Sequence, residues 1–230
     1  MKKYTTLLFD ADDTLLDFKK SEATALEQMM RERGLPFSPQ IAELYNKVNR
    51  GFWEMYERGE IEKKEILVGR YKKLFELMGV KTDAEAAART YEGHLCHQYF
   101  VIDGAIELLN NLKRDYEIYL VTNGNEHIQK HRLNGSGVNK LVNGVFVSEA
   151  VGAPKPEKRY FDYVFSCINE TDKSKILIIG DSMSSDILGG INAGIKTCFY
   201  NPASIPIPPD IRPDAEAKSL GDIPAILERL

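Results

Sequence analysis

The sequence predicts an α/β fold: a parallel sheet covered by helices on both faces and interrupted after its first strand by an inserted helical bundle. Three observations carry this expectation. From Asp103 onward, short continuous apolar runs alternate with helical patterns, as in strands buried on both faces of a parallel sheet. The first such run, Thr6-Leu7-Leu8-Phe9, is separated from the others by a stretch with only helical periodicity. The chemically distinctive residues gather just past the ends of apolar runs, where open α/β sheets bind ligands.

The elements follow in order. Thr6 to Phe9 is a strand that ends in Asp10. Beyond Leu16 the period becomes helical, with Ala23, Leu26 and Met30 along a helix from Ser21 to Arg33 that Gly34 ends. Ser38 followed by Pro39 makes a cap and first turn, and Ile41, Leu44, Val48, Phe52 and Met55 mark a second helix running to Gly59. A third helix spans Glu62 to Met78, with Ile66, Tyr71, Leu74 and Met78 inward, and stops at Gly79. Asp83 caps a fourth that holds Ala84, Ala87, Ala88, Tyr91 and Leu95. Then come a helix from Ile106 to Lys113, a strand from Glu117 to Thr122, a helix around Ile128 to Ser136, a strand from Gly144 to Val147 and a helix from Glu157 to Ile168. Lys175 to Ile179 is another strand, Asp186 to Ala193 its helix, and Lys196 to Tyr200 the last strand. Five prolines between Asn201 and Pro213 require an irregular loop, and Leu220 to Leu230 reads as a terminal helix. The expected division is a core of residues 1–15 and 96–230 with a helical cap domain of residues 16–95. An insertion at that point is placed to act as a lid.

At 230 residues the chain has room for one large domain or two unequal ones. Its net charge of −4, with acids and bases mixed throughout, argues against a nucleic acid polymer as partner, and no apolar run approaches a membrane span. Met1-Lys2-Lys3-Tyr4 leads into a run that carries Asp10, which is not the pattern of a signal peptide. The three cysteines, Cys96, Cys167 and Cys198, show neither zinc nor disulfide spacing, so they are expected as reduced thiols in a cytoplasmic protein. Both a monomer and a homodimer are compatible with the sequence.

Four segments carry chemistry. Phe9-Asp10-Ala11-Asp12-Asp13-Thr14-Leu15 puts two carboxylates two residues apart at a strand end, where such residues project to one side. Like charges side by side are costly unless a cation or a shared proton relieves them. The pair Asp10 and Asp12 therefore points to metal-assisted chemistry, one carboxylate attacking and the other moving protons. Helix capping is the plain reading for Asp13 or Asp17. Thr122-Asn123-Gly124 joins a hydroxyl and an amide to a glycine that permits a tight turn, which can aim backbone N–H groups at an anion. Gly152-Ala153-Pro154-Lys155-Pro156 stiffens one lysine between two prolines, suiting it to a phosphate or a carboxylate cluster. Gly180-Asp181-Ser182-Met183-Ser184-Ser185-Asp186 sets two further acids beyond a buried strand. Asp181 reads as a hard-cation ligand, whereas Asp186 reads equally as a helix cap.

Acid pair, threonine, lysine and acid pair, each at a strand end, follow the order of the haloacid dehalogenase superfamily. The sequence resembles that superfamily along its whole length, Rossmann-like core and helical cap included. Val121-Thr122-Asn123-Gly124 and Gly180-Asp181-Ser182 look most like its pyrimidine 5′-nucleotidase-like branch, with Asp13 standing where many relatives have glycine. The resemblance implies a Mg²⁺-dependent phosphomonoesterase acting on a small phosphorylated metabolite. It implies Asp10 as the nucleophile that becomes an aspartyl-phosphate, and Asp12 as the acid and then the base. It implies Mg²⁺ on Asp10, the Asp12 backbone carbonyl and Asp181, with Thr122 and the Asn123 N–H holding phosphoryl oxygens. Lys155 would neutralise charge, and Asp186 with Ser182 would support it. An acid at position 12 favours phosphate esters over dehalogenation, because a carbon–halogen bond needs no leaving-group proton. A receiver-type phospho-acceptor switch is the competing class; the Asp10–Asp12 spacing and the helical insertion argue against it. The expected substrate is a nucleoside 5′-monophosphate, with a sugar phosphate or phosphoglycolate as the alternative. Phe18 and Trp53, with Tyr56, are candidate substrate contacts that could equally be bundle core. His94, His97, His127 and His131 form no evident site.

Overall fold

The computed structural model describes residues 3–230, so Met1 and Lys2 of the core segment lie outside the described residues. β1 (Thr6–Phe9) lies inside a six-stranded sheet of order β3-β2-β1-β4-β5-β6, with every pairing parallel. The other strands are β2 (Glu117–Thr122), β3 (Gly144–Val147), β4 (Ile176–Gly180), β5 (Lys196–Tyr200) and β6 (Ala215–Ala217). Between β1 and β2 the chain forms α1 (Phe18–Glu32), α2 (Pro39–Glu57), α3 (Lys63–Met78), α4 (Ala84–Leu95) and α5 (Ala105–Leu112). α6 (Glu126–Ser136) links β2 to β3, while α7 (Ser148–Val151) and α8 (Lys158–Cys167) lead to β4. α9 (Leu188–Ala193) joins β4 to β5, and α10 (Ile223–Arg229) follows β6.

Side-chain alternation decides what each face of the sheet meets. Leu7, Phe9, Ile118, Leu120, Leu177 and Ile179 share one core cluster with Leu109 of α5 and Ile223 of α10. Leu8, Val121, Ile176 and Ile178 share another with Tyr160, Phe161 and Val164 of α8. Both faces of the central strands are covered, so only their ends are available to a ligand. Phe9 sits opposite Leu120 on one side and Ile179 on the other, so β1, β2 and β4 end close to one level.

The chain divides into two compact units, one comprising the chain to Phe18 with Tyr99–Leu230 and the other Lys19–Gln98. These junctions fall slightly later than residues 15 and 95. The Asp17 N–H donates to the Phe100 carbonyl and the Ile102 N–H to the Leu15 carbonyl, both at 2.9 Å, which ties the connecting segments into the sheet unit.

Within the inserted unit the centre is polar and aromatic. Asn49 Nδ2 donates to Glu22 at 2.6 Å, and Asn49 Oδ1 accepts from Arg70 at 2.9 Å. The Arg70 guanidinium lies 5.0 to 6.0 Å from the rings of Tyr45, Tyr71 and Tyr91. α2 therefore turns Tyr45 and Asn49 inward and leaves its apolar stripe, Ile41 to Phe52, half-buried. On α1, Ala23 is exposed, and Ala25 and Met29 are buried instead.

β6 is an element the sequence does not reveal. The proline-rich segment before it is irregular, as expected, but the chain then returns alongside β5. Asp214 anchors that return: it accepts from the Thr197 N–H at 3.0 Å and the Thr197 hydroxyl at 3.1 Å, and pairs with Lys196. Partial burial pushes the Asp214 carboxyl up, but Lys196 and the Thr197 donors outweigh it and hold it below its usual value. A carboxyl depressed on folding stabilises the fold above its unfolded range, and that contribution is lost as pH falls through the folded value. Asp214→Asn is expected to lower the melting temperature at neutral pH, and the difference should vanish below the carboxylate range. An equal difference at neutral and acid pH would contradict this role.

Candidate active site

β1 ends one residue before Asp10, whose N–H donates to the Ile179 carbonyl of β4 at 2.9 Å. The chain then turns back on itself, the N–H groups of Leu15 and Leu16 both donating to the Ala11 carbonyl. Asp13 sits in this turn with φ of 57°, a left-handed conformation in which aspartate is enriched. Its Oδ1 accepts from the Phe18 N–H at 3.1 Å, so Asp13 caps the start of α1.

Lys155 stands beside Asp10 and is only 1% exposed. Its ammonium donates to Asp10 Oδ1 at 2.7 Å, Asp186 Oδ1 at 2.6 Å and the Val121 carbonyl at 2.7 Å, the full donor capacity of a lysine. Asn123 grips the backbone of the same residue. Its Nδ2 donates to the Lys155 carbonyl and its Oδ1 accepts from the Lys155 N–H, each at 2.9 Å. Burial alone would push the Lys155 ammonium down, but Asp10 and Asp186 outweigh it and hold it up, firmly charged. Burial pushes the Asp10 carboxyl up to about 8, with Lys155 opposing and Asp186 and Asp12 adding to the rise.

β4 supplies the remaining acids. It ends at Gly180, where a Cβ would lie 2.2 Å from Asp186 Oδ2, so glycine is what lets Asp186 pack against the strand end. Ser182 Oγ accepts from the Ser185 N–H at 3.2 Å and caps the turn Met183–Ile187. Asp186 is therefore not the cap; it reaches Lys155 and accepts from the Ser182 N–H at 3.0 Å. Oxygens of Asp10, Asp181 and Asp186 lie within 4.8 Å of one another. An all-oxygen acidic cluster is the donor set a hard divalent cation takes.

Asp12 is held from α6. Its Oδ1 accepts from Arg132, and its Oδ2 accepts from Gln129 Nε2 at 2.7 Å. Gln129 Nε2 also donates to Thr122 Oγ1 at 2.9 Å, and Thr122 Oγ1 accepts from the Gly124 N–H at 3.0 Å. Gly124 is needed for this approach, since a Cβ there would lie 2.6 Å from Gln129 Nε2. Sequence reasoning missed Gln129 and Arg132. The available signal was α6 itself, which follows a largely buried strand yet has only Ile128 and Leu133 as buried apolar residues, so its inward face had to include polar groups.

The structure thus gathers Asp10, Lys155, Asp181, Asp186 and Ser182 at one end of the sheet, with Asn123 hydrogen-bonded to Lys155 and with Asp12 and Thr122 joined to each other through Gln129. Phe18 is half-buried, with the Arg132 guanidinium 5.2 Å from its ring centre. Trp53, in the inserted unit, packs edge-on against Tyr56 at 5.9 Å. Of the histidines, His94 is 2.7 Å from Glu32, His97 Nδ1 donates to the Gly93 carbonyl, and the rings of His127 and His131 are 4.6 Å apart. The cysteines are free thiols; burial pushes that of Cys198 up to about 12, which rules it out as a nucleophile. Among the described residues no helix is long and apolar enough to cross a membrane.

A parallel α/β sheet with acids and a buried lysine at its strand ends defines a hydrolase with an acidic centre. Residues 7–200 match the haloacid dehalogenase-like hydrolases, and the chain belongs to that family, as one of its phosphatases. It is 39% identical over 227 residues to YfnB of Bacillus subtilis, described as a HAD-hydrolase, covering 99% of this chain and 97% of that protein. It is 37% identical to pyrimidine 5′-nucleotidase PynA of Streptococcus pneumoniae, covering 98% of this chain and 96% of that one. Pyrimidine 5′-nucleotidase YjjG of Escherichia coli is 32% identical, covering 98% of both. A crystal structure of YfnB bound to magnesium superposes with a TM-score of 0.95 and covers 98% of this chain and 99% of that one.

A carboxyl must be ionised to ligate a metal, so a cation at Asp10 competes with a proton. Burial pushes the Asp10 carboxyl up to about 8, so in the neutral range a cation settling on Asp10 would displace a proton. Calorimetric Mg²⁺ affinity is therefore expected to rise by about tenfold per pH unit from pH 6 and to level off near pH 8. An affinity independent of pH over that interval would contradict a cation site that includes Asp10.

Proposed function

We propose that this chain is a pyrimidine nucleoside 5′-monophosphatase that works through a phosphorylated Asp10 with Mg²⁺ as cofactor. The observation that carries the reading is the buried Asp10–Lys155–Asp186 array, with a second acid, Asp12, two residues from the first. The full-length likeness to two proteins named pyrimidine 5′-nucleotidases supports the choice of substrate.

Asp10 Oδ1 is oriented by Lys155, which presents the carboxylate to a phosphorus atom. Asp10 attacks in line, the phosphorus–ester oxygen bond breaks, and Asp12 gives its proton to the departing oxygen. Asp12 then takes a proton from a water that attacks the same phosphorus, which releases phosphate and restores Asp10. The Thr122 hydroxyl and the Asn123 N–H hold phosphoryl oxygens through these steps. All three Lys155 donors are already engaged, so its contribution is charge rather than a new hydrogen bond. Asp186 and Asn123 keep it in place. Mg²⁺, held by Asp10, Asp181 and the Asp12 carbonyl beside Asp186, would offset the repulsion between an anionic nucleophile and an anionic substrate. Positioning and electrostatics supply most of the acceleration in phosphoryl transfer.

Phosphate release from a panel of esters tests the reading. Pyrimidine nucleoside 5′-monophosphates should be hydrolysed with higher kcat/KM than sugar phosphates or phosphoglycolate; parity would remove the nucleotidase assignment. Asp10→Asn should abolish turnover with the fold intact, and substantial residual activity would contradict its role as nucleophile. EDTA should silence the enzyme and Mg²⁺ restore it; activity that survives chelation would sink the metal requirement.

A further inference from the structure

We infer that Gln129 and Arg132 are positioning residues that set the acid Asp12 and the hydroxyl of Thr122 as one unit. The inference rests on the phosphatase reading of Asp10 and Asp12. Gln129 and Arg132 lie three residues apart on α6, on the same face, and both are fully buried, at 1% and 0% exposure. Arg132 Nη1 donates to Asp12 Oδ1 and, at 3.3 Å, to Gln129 Oε1. The second contact fixes the amide: with its oxygen turned to Arg132, its NH₂ must face Thr122 and Asp12. That one nitrogen donates to Asp12 Oδ2 at 2.7 Å and to Thr122 Oγ1 at 2.9 Å, one hydrogen for each.

Two consequences follow from counting donors. Both oxygens of Asp12 are located from one helix, so the place from which it delivers and recovers a proton is fixed by side chains remote from the phosphorus. Thr122 Oγ1 already accepts from Gln129 and from the Gly124 N–H, so its remaining capacity is its own hydrogen. Gln129 thus makes Thr122 a donor, the polarity a phosphoryl oxygen requires. Arg132 touches the acid but not Thr122, whereas Gln129 touches both.

This difference separates the two residues experimentally. Arg132→Lys keeps the charge but loses the planar guanidinium whose Nη1 is held in place to serve both acceptors. Gln129→Glu keeps the shape but removes both donated hydrogen bonds and lets the carboxylate accept from Thr122. Each variant is assayed with an alkyl phosphate ester, whose leaving group needs a proton, and with an aryl ester whose leaving group does not. Inhibition by inorganic phosphate is measured alongside. Arg132→Lys should lower kcat on the alkyl ester by about a hundredfold, against less than about tenfold on the aryl ester, with phosphate inhibition unchanged. Gln129→Glu should show the same dependence on leaving group and weaken phosphate inhibition by about tenfold as well. In an Asp12→Asn background, Arg132→Lys should cause no further loss. Equal losses on both esters, a further loss in that background, or unchanged phosphate inhibition in Gln129→Glu would overturn the inference while leaving the phosphatase reading intact. A wild-type enzyme inert towards both esters would overturn that reading and this inference together.

Discussion

One buried ammonium organises the functional end of this sheet. Lys155 is enclosed on all sides and donates to two carboxylates and a carbonyl. Removing a charge from water costs several kcal/mol, which only well-placed opposite charges and a full set of hydrogen bonds offset. Everything nearby reflects that requirement. Asn123 pins the lysine backbone, Gly180 gives up its Cβ so that Asp186 fits, and the Ser182 N–H holds Asp186 from the far side. Asp10 is the partner whose carboxyl is pushed up, by burial first and by Asp186 and Asp12 in addition, against the pull of Lys155.

Parallel topology makes such an arrangement economical. With β2 and β4 flanking β1, the ends of three strands meet, and residues separated by 145 positions in the chain come within 2.7 Å. Four carboxylates, Asp10, Asp12, Asp181 and Asp186, stand here, with Lys155 paired to Asp10 and Asp186 and Arg132 paired to Asp12. The site therefore carries surplus negative charge, which suits it to a divalent cation and, once that is bound, to an anionic substrate.

Much of this was legible in the sequence because strand ends are. Continuous apolar runs located β1 to β5, and acids that follow such runs have few structural excuses. Asp13 was legible as a cap, since its type suits both a left-handed turn and a free N–H. What escaped notice was polar residues with a buried destination. Arg132 and Gln129 look like surface residues of a polar helix, and only the position of Asp12 across 120 residues gives them a purpose. Tyr45, Asn49 and Arg70 form the centre of the inserted unit for a similar reason: their partners are one another, which helical periodicity scored on apolar residues does not register. β6 was hidden by brevity, because an Ala-Glu-Ala strand held by Asp214 has no apolar run to announce it.

The central claim is that the surplus negative charge around Lys155 serves one covalent step at Asp10. Rapid acid quench during turnover of a nucleotide carrying a radiolabelled phosphate, followed by peptide mapping, tests it most directly. The account predicts label on the peptide that contains Asp10, forming and decaying at rates compatible with kcat. Steady turnover with no protein-bound label, or with label on a different residue, would contradict it.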